Sequence, residues 1–471
     1  MCPIISIPSE ASADIQVNTY TTEHQLLPKA AMAANGNFVI AWYGHGQEGD
    51  TSNIYAQLYD AAGSQVGSEF RVGTGTDYSQ GRDPVTAMDA NGNFVITWVS
   101  GGDGDGSGIY AQLYNHAGVP VGTVFQVNTY TTGSQIRPST AMAANGNFVI
   151  AWESYGQDGD GAGIFAQHYD AVGTPLGSEF QVNTYTTFYQ QIASTAMGAN
   201  GNFVIAWEAF EPDGDWAGIY AQLYDATGNP VGSEFQANTY TDYPQESSTA
   251  MDANGNFVIA WESFWQDGDS GGIYAQRYDN AGNPLDSEFQ VNTYTTHHQV
   301  LPSIAMDEDG DFVISWSSHE QDGDDFGVFA QRYDAVGSPM GTEFQVNSYT
   351  DSTQRESATA MDAYGNFVIA WESSGQDGDG YGIFMKLFLI DQDRDGVLDE
   401  NDNCPDTYPD SEVSPEGCNG EQLIGFRCSE SEFRNYGGYV NCVRKAAFEC
   451  VELGLIDIND IGRIVSGVVR K

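Results

Sequence analysis

Apolar and polar positions recur along most of this chain with a period of about 55 residues. The string NGNFVIAW and its near-variants place a tryptophan at the same point of each repeat, at spacings of 54 to 56 residues. A fixed period of this length is typical of repeat architectures such as solenoids and propellers. The repeated tryptophans, seven in number, are Trp42, Trp98, Trp152, Trp207, Trp261, Trp316 and Trp371.

Each repeat contains four strand-like runs, which are clearest in the third repeat as STAMAA, NFVIAWES, GIFAQHYD and EFQVNTY. The first run is small and apolar, which suits strands crowded around an axis, and the second is apolar on both faces, which indicates burial on both sides. The fourth alternates between apolar and polar residues, as a half-solvated outer strand does. The pattern therefore predicts an all-β fold, a seven-bladed β-propeller of four-stranded antiparallel blades. A β-solenoid is the alternative, for which about 55 residues is a long coil.

The two ends of the repeat array predict how the ring closes. Residues Asp14 to Tyr20 read DIQVNTY, which is an outer strand that precedes the first complete repeat. The last repeat ends with GIFMKLFLI and lacks an outer strand of its own. We expect the N-terminal strand to complete the last blade, so that residues 1–390 form a closed propeller.

Charge narrows the possible partners. The chain has 65 acidic and 16 basic residues, a formal net charge of -49, while 41% of its residues are hydrophobic. It is too apolar for a disordered acidic chain, and its charge excludes nucleic acid and anionic lipid as partners and favours cations. No apolar run reaches the roughly 20 residues of a transmembrane span. The N-terminus, MCPIISIPSE, carries no export signal, but the clustered cysteines favour an oxidising, extracellular or cell-surface location.

Strand alternation places the QDGDG loops and the TTxxQ loops on one face of the predicted disc. Paired aspartates separated by one glycine form half of a calcium site, which backbone carbonyl oxygens would have to complete. The alternative is a turn in which each aspartate accepts backbone N–H bonds. The candidate calcium ligands in these loops are Asp158, Asp160, Asp213, Asp215, Asp267, Asp269, Asp322, Asp324, Asp377 and Asp379.

Aromatic residues interrupt the repetition on the same face. The repeated tryptophans are expected to fill the wedge between blades, but extra aromatic residues in the loops of the fourth and fifth repeats are not needed for packing. Such a sector is typical of a carbohydrate-binding or protein-binding patch, with incidental loop packing as the alternative. The candidate ligand-binding residues are Phe210, Trp216, Tyr243, Phe264 and Trp265.

The sequence after Ile390 contains a stronger calcium motif. Read as a twelve-residue loop, DQDRDGVLDEND offers carboxylates at positions one, three, five, nine and twelve, a glycine at six and a backbone carbonyl at seven. The last position holds an aspartate where such loops usually have a bidentate glutamate. The candidate ligands are Asp391, Asp393, Asp395, Val397, Asp399 and Asp402, and calcium (Ca2+) is the predicted cofactor.

The segment DQDRDGVLDENDNCPDTYPDSEVSPEGC, within residues 391–420, resembles a thrombospondin type 3 calcium repeat of bacterial secreted and outer-membrane proteins. The resemblance implies that Asp391, Asp393, Asp395, Asp399 and Asp402 bind calcium and that Cys404 pairs with Cys418. The NGNFV-W and QDGDG repeats are in turn similar to repeats of bacterial exported proteins.

Residues 421–471 predict a small, disulfide-linked helical module. Val440, Val443, Ala447 and Val451 form one helical stripe, and Ile461, Ile464, Val465 and Val468 form another. Cys442 and Cys450 are too far apart along a helix to bridge each other. We therefore expect a Cys428–Cys442 disulfide, with Cys450 either joined to Cys2 or unpaired.

The repetition argues against an enzyme, because near-identical repeats present the same groups seven times and catalysis needs a unique constellation. The favoured function is non-enzymatic: a secreted or surface-exposed calcium-binding protein that adheres multivalently to extracellular glycans or surface proteins. One alternative is a structural subunit of a sheath or filament, a homo-oligomer joined through its C-terminal module. A further alternative is a polysaccharide hydrolase whose carboxylates, distant in sequence, converge at an axial channel.

Overall fold

The computed structural model describes residues 13–47, 52–73, 81–210, 218–240 and 244–390, together with 422–424, 428, 436–453, 455, 461 and 464. The chain divides into two compact units, one spanning Glu10–Phe388 and one made mainly of Leu389–Lys471. The first unit contains seven four-stranded antiparallel sheets, so the predicted seven-bladed propeller is confirmed.

In six blades the strands follow one another in sequence from the axis outwards, and the last blade takes its outermost strand from the N-terminus. The first strands are β2 (Gln25–Met32), β6 (Arg82–Met88), β10 (Gln135–Met142), β14 (Gln190–Met197), β18 (Pro244–Met251), β22 (Gln299–Met306) and β26 (Gln354–Met361). The second strands are β3 (Phe38–Gly44), β7 (Phe94–Gly101), β11 (Phe148–Tyr155), β15 (Phe203–Ala209), β19 (Phe257–Phe264), β23 (Phe312–His319) and β27 (Phe367–Ser374).

The two outer positions complete each blade. The third strands are β4 (Asn53–Tyr59), β8 (Ser107–Tyr114), β12 (Ala162–Tyr169), β16 (Gly218–Tyr224), β20 (Gly271–Tyr278), β24 (Phe326–Tyr333) and β28 (Tyr381–Phe388). The fourth strands are β5 (Gln65–Arg71), β9 (Pro120–Gln126), β13 (Phe180–Gln181), β17 (Pro230–Gln236), β21 (Phe289–Gln290), β25 (Phe344–Gln345) and β1 (Ile15–Gln16).

The N-terminal strand closes the ring. Strand β1 pairs antiparallel with β28, with Ile15 opposite Met385 and Gln16 opposite Phe384. The hydrogen bond from Val17 N to Ile383 O, 2.8 Å long, continues this pairing. The last blade is therefore completed by the first strand of the chain, as the sequence predicts.

Packing between blades explains the repeated aromatic residues. All seven tryptophans are buried in the core, where each blade presents the apolar side chains of its second strand to its neighbours. Within blade 3, Phe148 stacks on Tyr169 with ring centroids 4.9 Å apart, and the same pair recurs in every blade except the last, which stacks Phe367 on Phe388. Burying one large aromatic side chain contributes about 2–3 kcal/mol, so the repeat stabilises itself at every interface.

Every first strand is interrupted near its start by a β-bulge. The register of the first and second strands shifts there in each blade. One residue per strand adopts a positive φ at this point, and these seven residues, which we call the bulge row, are Leu27, Asp83, Arg137, Ile192, Glu246, Leu301 and Glu356. A bulge re-aims a side chain that would otherwise follow the pleat of the strand, and all seven line the axial channel.

The C-terminal unit contains helix α1 (Tyr436–Glu452). Its residues Val443, Ala446, Ala447 and Cys450 pack against Leu423, Ile424 and Cys428. The predicted Cys428–Cys442 disulfide is present, with Cα atoms 5.9 Å apart. The predicted Cys404–Cys418 pair lies outside the described residues, as does most of the predicted second helix. No helix among the described residues is long and apolar enough to cross a membrane.

Candidate functional site

The DGD loops and the TTxxQ loops lie on the same side of the propeller, which we call the loop face. In blade 3, Asp160 Oδ2 accepts a hydrogen bond from the backbone N of Phe188, in the next TTxxQ loop, at 3.2 Å. The corresponding contacts to Asp269, Asp324 and Asp379 are 3.1, 2.9 and 3.3 Å long. These aspartates therefore join neighbouring blades.

The first aspartate of each pair stabilises its own turn. Asp158 Oδ1 accepts a hydrogen bond from Asp160 N at 3.3 Å, and Asp267, Asp322 and Asp377 make the same contact. Burial raises the pKa of Asp158, Asp267 and Asp322. Calcium at these loops stays a prediction, and Asp213 and Asp215 lie outside the described residues, as does the C-terminal loop of Asp391 to Asp402.

The aromatic sector predicted on this face is partly described. Trp265 is 58% exposed, while Phe210 and Phe264 are half-buried, and Phe264 meets His298 with ring centroids 5.9 Å apart. Trp216 and Tyr243 lie outside the described residues. Trp265 thus offers an open aromatic surface.

The axial channel widens at the loop face into a cavity of about 430 Å³, which we call the loop-face cavity. Ligand sites usually have volumes of several hundred cubic ångströms. All seven first strands contribute to its wall, through the bulge row and the residues that follow it. The seven residues of the bulge row differ from one blade to the next, so the cavity has three carboxylates, from Asp83, Glu246 and Glu356, placed among cations and apolar side chains.

Electrostatics distinguish these carboxylates. Burial raises the pKa of Glu246, and the charge of Glu356 raises it further, while Lys29 and Arg137 oppose the shift. Burial also raises the pKa of Asp83, against the opposing charges of Arg82, Arg137 and Lys29. Glu246 therefore retains its proton to higher pH than an ordinary glutamate does.

A second set of glutamates lies buried just behind the bulge row, at the position that follows the repeated tryptophan. The Arg137 guanidinium lies 3.0 Å from Glu153, and Arg355 lies 2.9 Å from Glu372. Leu27 N, in the bulge row, donates a hydrogen bond to Glu372 Oε2 at 3.0 Å. The two arginine contacts lie within one blade each, whereas the Leu27 contact joins the bulge row of the first blade to the second strand of the last blade.

Two members of this buried set have no described arginine partner. Burial, with a smaller contribution from the charge of Glu246, raises the pKa of Glu208 to about 7 and that of Glu262 to about 8. Gln191 Nε2 donates a hydrogen bond to Glu208 at 3.1 Å. Acidic groups with such shifts, clustered beside a cavity, are a mark of functional sites.

The bulge-row carboxylates were not among the site residues predicted from the sequence. The available signal was one repeat position, two residues into most of the first strands, at which the seven repeats carry unlike side chains. The prediction of seven equivalent sets of groups is wrong at this position, because the bulge row faces the axis and does not carry the same residue in every repeat.

Comparisons with known proteins agree with the fold. No protein-family model and no curated protein matches this chain. Among solved structures, a protein of unknown function from Dyadobacter fermentans is 12% identical, with a TM-score of 0.48, over 81% of this chain and 99% of that one. An α-L-arabinanase from Penicillium chrysogenum is 12% identical (TM-score 0.45) over 69% and 99% of the two chains. An α-L-arabinofuranosidase from Fusarium graminearum is 12% identical (TM-score 0.47) over 69% and 98%.

These matches correct the functional prediction. The expectation of a non-enzymatic adhesion protein is contradicted, because the matching structures include proteins named as an arabinanase, an arabinofuranosidase and a family-43 glycoside hydrolase. At 12% identity the likeness is one of fold, so the chemistry has to come from this chain's own residues.

Proposed function

We propose that the protein is a glycoside hydrolase and that the loop-face cavity is its active site. The observation that carries this proposal is that Asp83, Glu246 and Glu356 line one cavity. They lie in the bulge row, where the other four repeats have apolar or basic residues. Most glycoside hydrolases use a pair of carboxyl groups on either side of the scissile bond, one as acid and one as nucleophile or base.

Glu246 is the proposed general acid. Burial raises its pKa, so it holds its proton to higher pH than an ordinary glutamate and can protonate the oxygen of the leaving sugar. Glu356 is the proposed nucleophile or base, since it lines the same cavity and its charge acts on Glu246. Lys29 and Arg137 lie in the same wall and balance the negative charge when the second carboxylate is ionised.

The proposed substrate is a neutral polysaccharide. A net charge of -49 repels anionic chains, whereas uncharged sugars carry hydroxyl groups for the carboxylates and apolar faces for aromatic stacking. Trp265 is exposed on the same face and is the proposed platform for a sugar ring outside the cavity.

A hydrolysis assay tests the active site. Purified protein is incubated with a panel of neutral polysaccharides, including arabinan, and reducing ends are measured. Glu246→Gln and Glu356→Gln are each expected to lower kcat by about 100-fold or more, because each removes a proton-transfer or nucleophilic group. The wild-type kcat/KM should fall as pH rises through the raised pKa of Glu246, since the general acid must be protonated.

Glu308→Gln is the matched control. Glu308 is an exposed glutamate at the opposite end of the same channel, so its loss should leave activity unchanged. Wild-type protein without activity on any member of the panel, or equal activity in Glu246→Gln and wild type, would overturn the proposal.

We also propose that the C-terminal loop binds calcium and that the protein acts outside the cell. Calcium is supported by the carboxylate spacing of Asp391, Asp393 and Asp395, and the location by the Cys428–Cys442 disulfide. A calorimetric calcium titration should show one equivalent fewer in the Asp393→Ala/Asp395→Ala variant. Unchanged stoichiometry would contradict the calcium site. Assembly through the C-terminal module stays a prediction.

A further inference from the structure

A group of different chemistry lies on the loop face of blade 6. His297, His319 and Glu320 each offer a ligand atom, and these atoms lie within 4.8 Å of one another. His297 Nε2 is 3.1 Å from Glu320 Oε2, and the two imidazole rings have centroids 5.5 Å apart. Among the described residues, this is the one group of three such side chains that are close enough to share a metal ion.

Backbone contacts fix the two segments that supply these side chains. His319 ends β23, and its N donates a hydrogen bond of 2.8 Å to His298 O. His297 N, in the preceding loop, donates to Asp269 Oδ2 of blade 5 at 3.1 Å. Glu320 N donates to Asp325 O at 2.6 Å, which closes the turn that carries the glutamate. The three side chains thus start from positions that the fold determines.

The surroundings of His319 prepare one of its ring nitrogens for a metal. Nε2 lies 3.5 Å from Asp325 Oδ1, and a neighbouring carboxylate favours the tautomer with the proton on Nε2. Nδ1 then carries the lone pair. It is buried and has no hydrogen-bond partner among the described residues. A histidine whose other nitrogen faces a carboxylate is the usual arrangement of metal-binding imidazoles.

We propose that His297, His319 and Glu320 form a site for a divalent transition-metal ion, with Zn²⁺ as the favoured ion. Two imidazole nitrogens and one carboxylate oxygen are a typical zinc ligand set, with a fourth position left for water. Calcium and magnesium prefer oxygen ligands alone, so the site differs in kind from the calcium loop.

Blades 6 and 7 are neighbours with the same fold, but only blade 6 of the two has these ligands. At the equivalent positions, blade 7 has Ser352, Ser374 and Gly375, which cannot supply this ligand set. Packing of the loop therefore does not require the two histidines and the glutamate. Glu320 and Asp325 also supply the negative charge that a dication needs.

Zinc titration of the full chain tests the site. Zinc is added in the presence of excess calcium, which saturates the all-oxygen sites, and bound zinc is measured by equilibrium dialysis. Wild type should bind one tight equivalent, and Co²⁺ in its place should give the visible absorption of a tetrahedral site. His297→Ala and His319→Ala should each weaken this equivalent by about 100-fold or more, and Asp325→Asn by about 10-fold to 100-fold.

His298→Ala is the matched control, because His298 is the next residue along the chain and is outside the group. Its zinc affinity should equal that of the wild type. Circular dichroism melts establish that each variant is folded, and Glu320→Gln serves if a histidine variant is not. No tight zinc equivalent in the wild type, or an undiminished one in the folded variants, would show that His297 and Glu320 form only an ion pair.

Discussion

The two ends of the axial channel are built from the same seven strands and differ in how strictly they repeat. At the end opposite the loop face, which we call the hairpin face, a smaller cavity of about 120 Å³ is lined by a methionine from most blades, followed by alanines and acidic turn residues. At the loop face the bulge row presents Leu27, Asp83, Arg137, Ile192, Glu246, Leu301 and Glu356.

This difference separates the residues that stabilise the fold from the residues proposed to act in catalysis. At the hairpin face the aspartates serve their own turns: Asp252 Oδ1 accepts hydrogen bonds from Asn254 N and Asn256 N, both at 2.8 Å. At the loop face burial raises the pKa values of Glu208, Glu246 and Glu262, which costs stability whenever they ionise. A repeat protein keeps the same residue where packing demands it and can vary where packing does not, so the divergent end is where we place the chemistry.

The largest contrast is expected in stability. Glu262 has its pKa raised from 4.5 to about 8 by burial, so the unfolded state loses its proton well before the folded state does. The contribution of Glu262 to the free energy of unfolding should therefore be highest at low pH and fall by on the order of 3 kcal/mol between pH 5 and pH 8. Glu262→Gln, which stays neutral, should remove much of this fall and be more stable than wild type at pH 8 in urea melts.

Replacing a buried acidic residue at the hairpin face should lower the stability of the protein instead of raising it. Asp252→Ala removes a buried acceptor of three hydrogen bonds, including one of 2.7 Å from Asn256 Nδ2, and should lower stability by about 2 kcal/mol. A stabilised Asp252→Ala, or a Glu262→Gln that is no more stable than wild type at pH 8, would remove the distinction between the two ends.

The fold was predictable because its determinants repeat. The burial of the repeated tryptophans follows from a pattern that occurs seven times, and the closure by Ile15 and Gln16 follows from the outer strand that the last repeat lacks. Spacing along the helix excluded a disulfide between Cys442 and Cys450, and the expected Cys428–Cys442 disulfide is present.

The candidate site was not predictable in the same way. Asp83, Glu246 and Glu356 lie far apart in sequence, and only the ring brings them to one cavity. Their side chains reach the axis because of a β-bulge, which strand alternation does not reveal. The sequence likewise places His297 and His319 in or next to loops. The short distance between their imidazole rings depends on the pairing of β22 with β23.

A smaller contrast is expected between exposed aromatic residues on the two faces. Trp265 on the loop face is 58% exposed and Tyr364 on the hairpin face is 49% exposed, so either could stack on sugar. If the glycan enters from the loop face, Trp265→Ala should raise KM by about 5-fold to 10-fold, equivalent to roughly 1 kcal/mol of lost stacking, with kcat nearly unchanged. Tyr364→Ala should leave both constants unaltered in the same assay. If Tyr364→Ala alone raised KM, the substrate would have to enter from the hairpin face. The variation of residue type along the bulge row would then need another explanation.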